Sequence, residues 1–281
     1  MSSTRYNVLC YSGLMHKYIT RISLLIFVTL ATGVLGNTAA FAAKPVPITP
    51  VSLGNDISYP QCNSTLIKGQ AFGIVGVNGG MANNTNSCLA TQISWALKSV
   101  GGTGQDKVAL YVNTANPGLL GSWWPSSNIY GNSTVTNPYG SCDGSDSVAC
   151  AYIYGYAKAY DDATIRGVKN PASYLWWLDV ETGNSWETNT AANAADLEGM
   201  TAYFQSIGAR VGIYSTTYQW GQIVGTTASS SNLYNLKNWI PGSTSQTSAK
   251  LACSSAPLTL GSTITLTQFV SKNIDYDYSC I

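Results

Sequence analysis

Five apolar segments of strand length alternate with helical patterns through the first two thirds of the chain. The clearest is Tyr174–Val180, which is aromatic, aliphatic or β-branched apart from Asp179, as expected for a strand buried on both faces. The other four are Leu53–Ile57, Ala71–Asn78, Val108–Asn113 and Arg210–Ser215. This alternation predicts βαβ units and therefore a largely parallel sheet.

Apolar residues recur with helical spacing between these strands. The predicted helices are Thr91–Val100, Ala149–Ile165, Asn193–Ile207 and Tyr218–Ile223. The last third offers two clear strands, Leu236–Ile240 and Ser262–Val270, a weak strand candidate near Leu251, and no good helix. The count fits a single-domain α/β fold, a TIM-like (βα)5β3 barrel. An open doubly wound sheet is the structural alternative.

Two acids lie at the carboxy end of this strand: Asp179 within the segment Tyr174–Val180, and Glu181 directly after it. Side chains two residues apart on a strand share a face, so both carboxylates should point the same way with Trp177 behind them. An acid pair at the end of a hydrophobic strand costs free energy to place, which favours a functional use. A capping Asp beside a solvated Glu is the alternative. Other polar residues at predicted strand ends, where barrel active sites lie, are Asp56, Asn78, Asn113 and Gln268.

The single histidine of the chain, His16, lies near the N-terminus. Its position excludes Ser-His-Asp and Cys-His catalysis and histidine-ligated metal sites from the remainder. Proton transfer in an enzyme of this composition must therefore use carboxylates, or less favourably Tyr or Lys. We expect neither a metal nor a cofactor.

Residues 1–42 are predicted to be a secretory signal peptide. Lys17 and Arg21 precede an apolar run, and Ala40–Ala42 forms an A-x-A-type cleavage site. A retained anchor is the alternative. Residues 43–50 form a Pro-rich linker, and residues 51–281 form the barrel domain. The expected product is a secreted, extracellular protein that is monomeric and has no stable membrane association.

Cleavage after Ala42 would remove Arg5, Lys17 and Arg21, which leaves 11 basic and 13 acidic residues. A chain without a basic excess is a poor partner for nucleic acid or anionic membranes. An even set of cysteines in an exported chain predicts disulfides, and sequential pairing with a small Cys142–Cys150 loop is the expectation. The cysteines that remain are Cys62, Cys88, Cys142, Cys150, Cys253 and Cys280.

Several short motifs together resemble glycoside hydrolase family 25, the Chalaropsis-type lysozymes or muramidases. Leu178–Glu181 matches the family's L-D-V/I/L-E, and Gly54–Ser58 is similar to its opening G-x-D-V/I-S. Gly212–Ser215 resembles G-I/V-Y-S/T, with Trp220 where a tryptophan usually follows. Further blocks that resemble the family in order and spacing are Asn238–Ile240, Thr267–Phe269 and Ile274–Asp275.

The resemblance implies a secreted hydrolase that cleaves the β-1,4 bond between N-acetylmuramic acid and N-acetylglucosamine in peptidoglycan. It implies that Glu181 is the general acid and that Asp179 stabilises the substrate acetamido group or the developing cation. Asp56 and Asp275 would keep the site acidic. The implied sugar-binding residues are Tyr214, Trp239 and Gln268, to which we add the strand residues Asn113 and Trp177.

The chain departs from the family pattern at two strand ends. Gly76–Gly80 lacks the Lys and Glu of the family's K-A-S/T-E-G, and Tyr111–Asn113 lacks the histidine of its Y-H-F. These departures keep open a second reading, a catalytically inactive carbohydrate-binding protein on the same barrel. A surface adhesion protein is a third class, which the compact βα pattern and the absence of repeats disfavour.

Overall fold

The computed structural model describes residues 53–281, so the predicted signal peptide and linker lie outside the described residues. Its strands are β1 Leu53–Ile57, β2 Gly73–Gly76, β3 Val108–Asn113, β4 Ile129–Tyr130, β5 Ser133–Thr134, β6 Leu175–Asp179, β7 Arg210–Tyr214, β8 Lys237–Ser243, β9 Ile264–Ser271 and β10 Ile274–Ser279. Eight of them close into a barrel in the order β1-β10-β9-β8-β7-β6-β3-β2, and β4 pairs with β5 separately. The α/β barrel prediction is confirmed, and the open-sheet alternative is wrong.

Neighbouring barrel strands run parallel except at β10, which is antiparallel to both β1 and β9. The helices are α1 Leu89–Ala96, α2 Val148–Thr164, α3 Thr190–Ser206, α4 Thr217–Ile223 and α5 Gln246–Ala252. They follow β2, β3, β6, β7 and β8 in turn. A 3-10 turn at Tyr59–Gln61 follows β1 instead, so the five βα units begin at the second strand.

The eighth strand is not where the sequence suggested. The weak strand candidate near Leu251 is wrong, because those residues form α5, which a capping box between Ser245 and Ser248 begins. The last strand is β10, in which Asp275 and Asp277 alternate with Tyr276 and Tyr278. Acidic residues are rare in strands, so the sequence pattern did not predict β10 as a strand.

Side chains alternate across the barrel wall along each strand. On β6, Leu175 and Trp177 point inward and pack with Phe72, Trp239 and Leu266 in the barrel interior. The intervening Trp176 points outward, where its ring stacks on Phe204 of α3 at 4.5 Å between ring centroids. The strand is therefore buried on both faces, which explains its nearly continuous apolar sequence.

Three disulfides tie the connections to the barrel, and they join the cysteines in the sequential order expected. Cys62–Cys88 links the turn after β1 to the start of α1. Cys142–Cys150 links the long segment after β3 to α2, and Cys253–Cys280 links α5 to the end of β10. Within residues 53–281, no helix is both long and apolar enough to cross a membrane.

Gly212 has no side chain, which leaves room for the ring of Trp177 in the barrel interior. We expect Gly212→Ala to destabilise the fold. A Cβ there would lie 2.3 Å from the buried Trp177 ring. Overpacking of a closed core costs about 3 kcal/mol. The matched control is Gly221→Ala in α4, where a Cβ meets no atom within 4 Å and should stabilise by about 0.5–1 kcal/mol. Urea unfolding of both variants measures the contrast, and equal stabilities would refute the packing described.

Candidate active site

A cavity of about 330 Å³ opens at the carboxy ends of the parallel strands. Its wall carries four carboxylates together with aromatic and amide side chains. The lining residues are Asp56, Tyr111, Asp179, Glu181, Tyr214, Trp239, Gln268, Val270 and Asp275. Four acids from three distant parts of the sequence therefore meet in one mouth, as do three of the proposed sugar-binding residues.

Each of the four acids reaches the mouth from a different position on the barrel. Asp56 is the last inward-facing residue of β1, and Asp179 is the last residue of β6. Asp275 lies on β10, where the pairing of Gly54 with Asp277 places it beside Asp56. Glu181 lies two residues beyond Asp179. Barrel closure brings the first and last strands together, which explains how residues near both ends of the domain share a site.

The backbone around Glu181 is fixed although the residue lies outside the strand. The Val180 N–H donates to the Tyr214 carbonyl at 2.9 Å, and the Ser215 hydroxyl donates to the Val180 carbonyl at 2.7 Å. The Trp186 indole N–H donates to the carbonyl of Glu181 at 2.8 Å. These bonds hold the Glu181 side chain at the cavity edge, which a general acid requires.

Burial and mutual repulsion raise the pKa values of these acids. The pKa of Asp56 rises to about 7 because the group is buried and faces the negative charge of Asp275. The pKa of Asp179 is raised well above its ordinary value by burial and then by Glu181 and Asp56. Burial also raises the pKa values of Glu181 and Asp275. No lysine or arginine of residues 53–281 lines the cavity, so some of these acids hold protons near neutral pH.

A chain of hydrogen bonds joins three strands across the mouth. The Tyr214 hydroxyl donates to Oε1 of Gln268 at 3.0 Å, and Nε2 of Gln268 donates to Oδ1 of Asp56 at 2.8 Å. The Tyr214 ring also packs edge-on against Trp239, with 4.5 Å between the ring centroids. Asp56 is therefore held as a hydrogen-bond acceptor, and the aromatic pair forms one wall of the cleft.

Two sequence-predicted sugar-binding residues do not line the cavity. Trp177 lies one pleat below Asp179 and is fully buried under Trp239, so it supports the floor rather than the binding surface. Asn113 ends β3, where its backbone N–H donates to Asn78 Oδ1 at 2.9 Å. Tyr111 lines the cavity in their place. The alternation of β3 was the signal for it, since Tyr111 shares the inward face with Ala109.

The altered end of β2 serves the fold. The side chain of Asn78 is buried, and its Nδ2 donates to Asp162 Oδ1 of α2 at 2.9 Å and to the Asn84 carbonyl at 3.2 Å. It therefore anchors the loop after β2 to α2, within the segment Gly76–Gly80 that lacks the Lys and Glu of the family pattern.

A larger cavity, about 690 Å³, lies outside the barrel between α3 and residues 224–233. Its single carboxylate, Glu198, already accepts hydrogen bonds from the hydroxyls of Tyr139 and Ser231. The barrel mouth is smaller, but it collects the titratable groups, so we assign the candidate active site there.

Stability should fall as the pH rises from about 4 to about 7. A carboxyl whose pKa is raised on folding binds more protons in the folded than in the unfolded chain. Its contribution is complete below the ordinary value of 3.8 and is lost as the pH rises through the folded value, about 7 for Asp56 and Asp162. The loss from Asp56 alone has an upper bound on the order of 4 kcal/mol. Urea unfolding across this range should show the decline, which Asp56→Asn should reduce; a rise would contradict the acid cluster described.

The fold and the site define the protein as an α/β barrel with an acidic cleft at the carboxy ends of its strands. Comparison with known proteins adds similarity over part of the chain. Residues 157–252, which include Asp179 and Glu181, match the family model described as Lys-1, Lysozyme-like protein 1. The chain is 41% identical over 49 residues to "Probable GH family 25 lysozyme 4" of Dictyostelium discoideum, covering 17% of this chain and 22% of the relative. It is 40% identical over 76 residues to "Lysozyme-like protein 5" of Caenorhabditis elegans, covering 27% and 34%.

The chain thus aligns with about a fifth to a third of the length of these curated relatives. Among solved structures, it is similar in fold to "Structure of muramidase from Acremonium alcalophilum", with a TM-score of 0.50 and 18% identity over 81% of this chain and 92% of that one. The resemblance inferred from the sequence motifs is confirmed: part of the chain matches lysozyme-like proteins, one of them described as a glycoside hydrolase family 25 lysozyme, and its barrel is similar to that of a solved muramidase.

Proposed function

We propose that the protein is a secreted muramidase-type glycoside hydrolase that cleaves β-1,4 bonds of peptidoglycan. The observation that carries the proposal is the acid pair Asp179 and Glu181 in a cleft that Asp56 and Asp275 also line. Glycoside hydrolysis requires one protonated and one ionised carboxyl and neither histidine nor metal. The chain has no histidine beyond His16, so its chemistry matches this reaction class.

Glu181 is the general acid in this mechanism. It lies beyond the end of β6 at the cavity edge, and its longer side chain can reach a glycosidic oxygen. Burial favours its neutral form. It transfers its proton to the oxygen of the leaving N-acetylglucosamine as the bond from that oxygen to C1 of N-acetylmuramic acid breaks. The resulting carboxylate then accepts a proton from the water that attacks C1.

Asp179 stabilises the positive charge that this bond cleavage creates. In the ligand-free cleft it resists ionisation, because it is deep and faces both Glu181 and Asp56. Bound substrate changes that balance, since an acetamide N–H and a developing cation both favour a carboxylate. The ionised Asp179 can then orient the acetamide so that its oxygen closes on C1 as an oxazolinium, which water opens. This route needs no nucleophile from the protein.

The cleft wall suits a neutral sugar ring. Tyr214 and Trp239 offer an aromatic edge, and Gln268 offers an amide beside them. Aromatic faces and planar polar groups provide orientation with little electrostatic selectivity. The peptidoglycan backbone, which the family resemblance implies as substrate, is the proposed glycan partner, and the protein acts on it as a monomer without a metal or cofactor.

Dye-labelled bacterial walls test the proposal directly. The wild-type protein should release soluble dye, and release should stop when the mouth is altered by Glu181→Gln. Glycan binding without any release by the wild type would overturn the enzyme assignment.

The departures at β2 and β3 favour one second candidate, a carbohydrate-binding protein without catalysis. Asn78 is engaged with Asp162, and Asn113 supplies no charged group. Binding to wall glycans that Glu181→Gln and Asp179→Asn leave unchanged, together with zero turnover by the wild type, would support that candidate.

Secretion completes the proposal. The three disulfides suit an oxidising compartment, and residues 1–42 have the pattern of a removable signal peptide. Mass spectrometry of exported protein should find a chain that starts at or near Ala43. An exported chain that retains Lys17–Arg21 would contradict cleavage.

A further inference from the structure

A fifth acid, Asp277, lies beneath the four carboxylates of the mouth. It faces the barrel interior from β10, where it pairs with Gly54 of β1 on one side and Gln268 of β9 on the other. Its side chain is 0% exposed. It does not line the cavity, so it cannot act on substrate by contact. The proposed mechanism leaves it without a role.

Among residues 53–281, no positively charged group acts on Asp277. The charged groups that act on it are Asp56 of β1 and Asp275 of its own strand, and both are acids. An ionised carboxylate in a dry interior without a cation carries a large solvation cost, and adjacent negative charge adds to it. The neutral acid is therefore the form that this position accepts, and a neutral carboxyl has an O–H to donate.

Three polar atoms around Asp277 lack hydrogen-bond partners within the described part of the chain. They are both carboxyl oxygens of Asp277 and the indole Nε1 of Trp239. The two polar groups that face the Asp277 carboxyl are this indole and the carboxyl of Asp56. Buried polar groups are rarely left unpaired. A protonated Asp277 pairs all of them, because it accepts from the indole N–H and donates its O–H to Asp56.

We propose that Asp277 is a positioning residue that stays protonated and donates a hydrogen bond to Asp56. Together with Gln268, which donates to the other side at 2.8 Å, it holds Asp56 in the orientation of an acceptor and favours its ionised form. The negative charge of Asp56 in turn acts on Asp179, which keeps a proton within the acid cluster. The catalytic consequence rests on the proposed hydrolase function, whereas the protonation state of Asp277 does not.

Two substitutions test whether Asp277 acts as a neutral hydrogen-bond donor or as an ionised base. Asp277→Asn keeps a neutral N–H donor for Asp56 and a carbonyl acceptor for Trp239, so kcat/KM on wall glycan should stay within about threefold of wild type. Asp277→Leu has a similar size but no polar atoms, and kcat/KM should fall by about tenfold or more. The apparent pKa of the acidic limb of its pH–rate profile should also rise, because Asp56 loses a donor. Equal and severe losses in both variants would overturn the proposal.

Infrared spectroscopy tests the protonation state without any activity. The wild-type spectrum minus that of Asp277→Asn, at about pH 8, should contain the carbonyl stretch of one protonated carboxyl, since ordinary carboxyls are ionised there. Absence of that band would refute a neutral Asp277 whether or not the protein is an enzyme. If the band is present but the protein shows no turnover, the proposed hydrolase function is wrong, whereas the proposed hydrogen bond from Asp277 to Asp56 is supported. If Asp277→Leu fails to fold, the infrared difference and the Asp277→Asn kinetics still decide.

Discussion

Replacing Glu181 with Gln should lower kcat on native glycan by about a thousandfold while glycan binding changes little. Gln keeps the shape of the side chain and removes the transferable proton, and general acid catalysis contributes about 10²–10⁴ in rate. The backbone bonds that hold Val180 and Glu181 do not involve the carboxyl, so the cleft should keep its form. Release of reducing ends from purified walls measures the rate, and sedimentation with the walls measures binding.

A substrate with an activated leaving group, such as an aryl glycoside, should recover much of the lost rate, because that group departs without protonation. The matched control is Glu187→Gln in the same loop after β6, since Glu187 lies outside the cavity lining and should leave turnover unchanged. Wild-type activity in Glu181→Gln, or an equal loss in Glu187→Gln, would remove Glu181 from the role of general acid.

Replacing Asp179 with Asn should also lower kcat, by about a hundredfold or more, and no leaving group should rescue it. A carboxylate that stabilises positive charge acts on the transition state of every substrate, so the loss persists when leaving-group protonation is unnecessary. The Asp179 carbonyl, which accepts from the Thr114 hydroxyl at 2.6 Å, is unaffected by the change. The contrast in rescue between the two variants therefore separates the two roles.

The stability of Asp179→Asn provides a second test, because the substitution removes a buried acid that neighbouring acids repel. Asp179→Asn should be at least as stable as wild type near neutral pH, because the pKa of Asp179 is raised by burial and by its acidic neighbours. Lower stability together with lost activity would indicate a structural role for Asp179. Thermal unfolding at neutral pH distinguishes these outcomes.

Alternation of apolar segments was sufficient to predict parallel strands with helices between them, because strands such as β6 are buried on both faces. It left an open sheet as an alternative to the barrel. It was insufficient for β10, where Asp275 and Asp277 give strand-like alternation with residues that strands usually exclude. Pairing with β1 and β9 stabilises β10 despite these residues. Helix α5 was missed for a different reason: it has seven residues with one buried side chain, so it shows no apolar periodicity and begins at its Ser245 cap.

The candidate site could be predicted in part. Asp179 and Glu181 follow from strand geometry, Asp56 from its place at a strand end, and Asp275 from the family resemblance. Closure of the barrel explains why residues so far apart in sequence share one mouth. Trp177 was wrongly predicted to bind sugar. The sequence shows that it shares a face with the acids but not how deep it lies in the barrel, and one pleat separates the cavity wall from its floor. Asp277 could not be found from sequence, since its significance arises only from a cross-strand position beside Asp56 and Trp239.

Identification of the reducing ends released from purified peptidoglycan tests the central claim most directly. The reaction of the wild-type protein with walls, followed by borohydride reduction and sugar analysis, should yield reduced N-acetylmuramic acid as the new end. Glu181→Gln, treated in parallel, should yield almost none. Reduced N-acetylglucosamine as the new end would contradict the bond assigned here, and no new reducing end from the wild type would contradict hydrolysis itself.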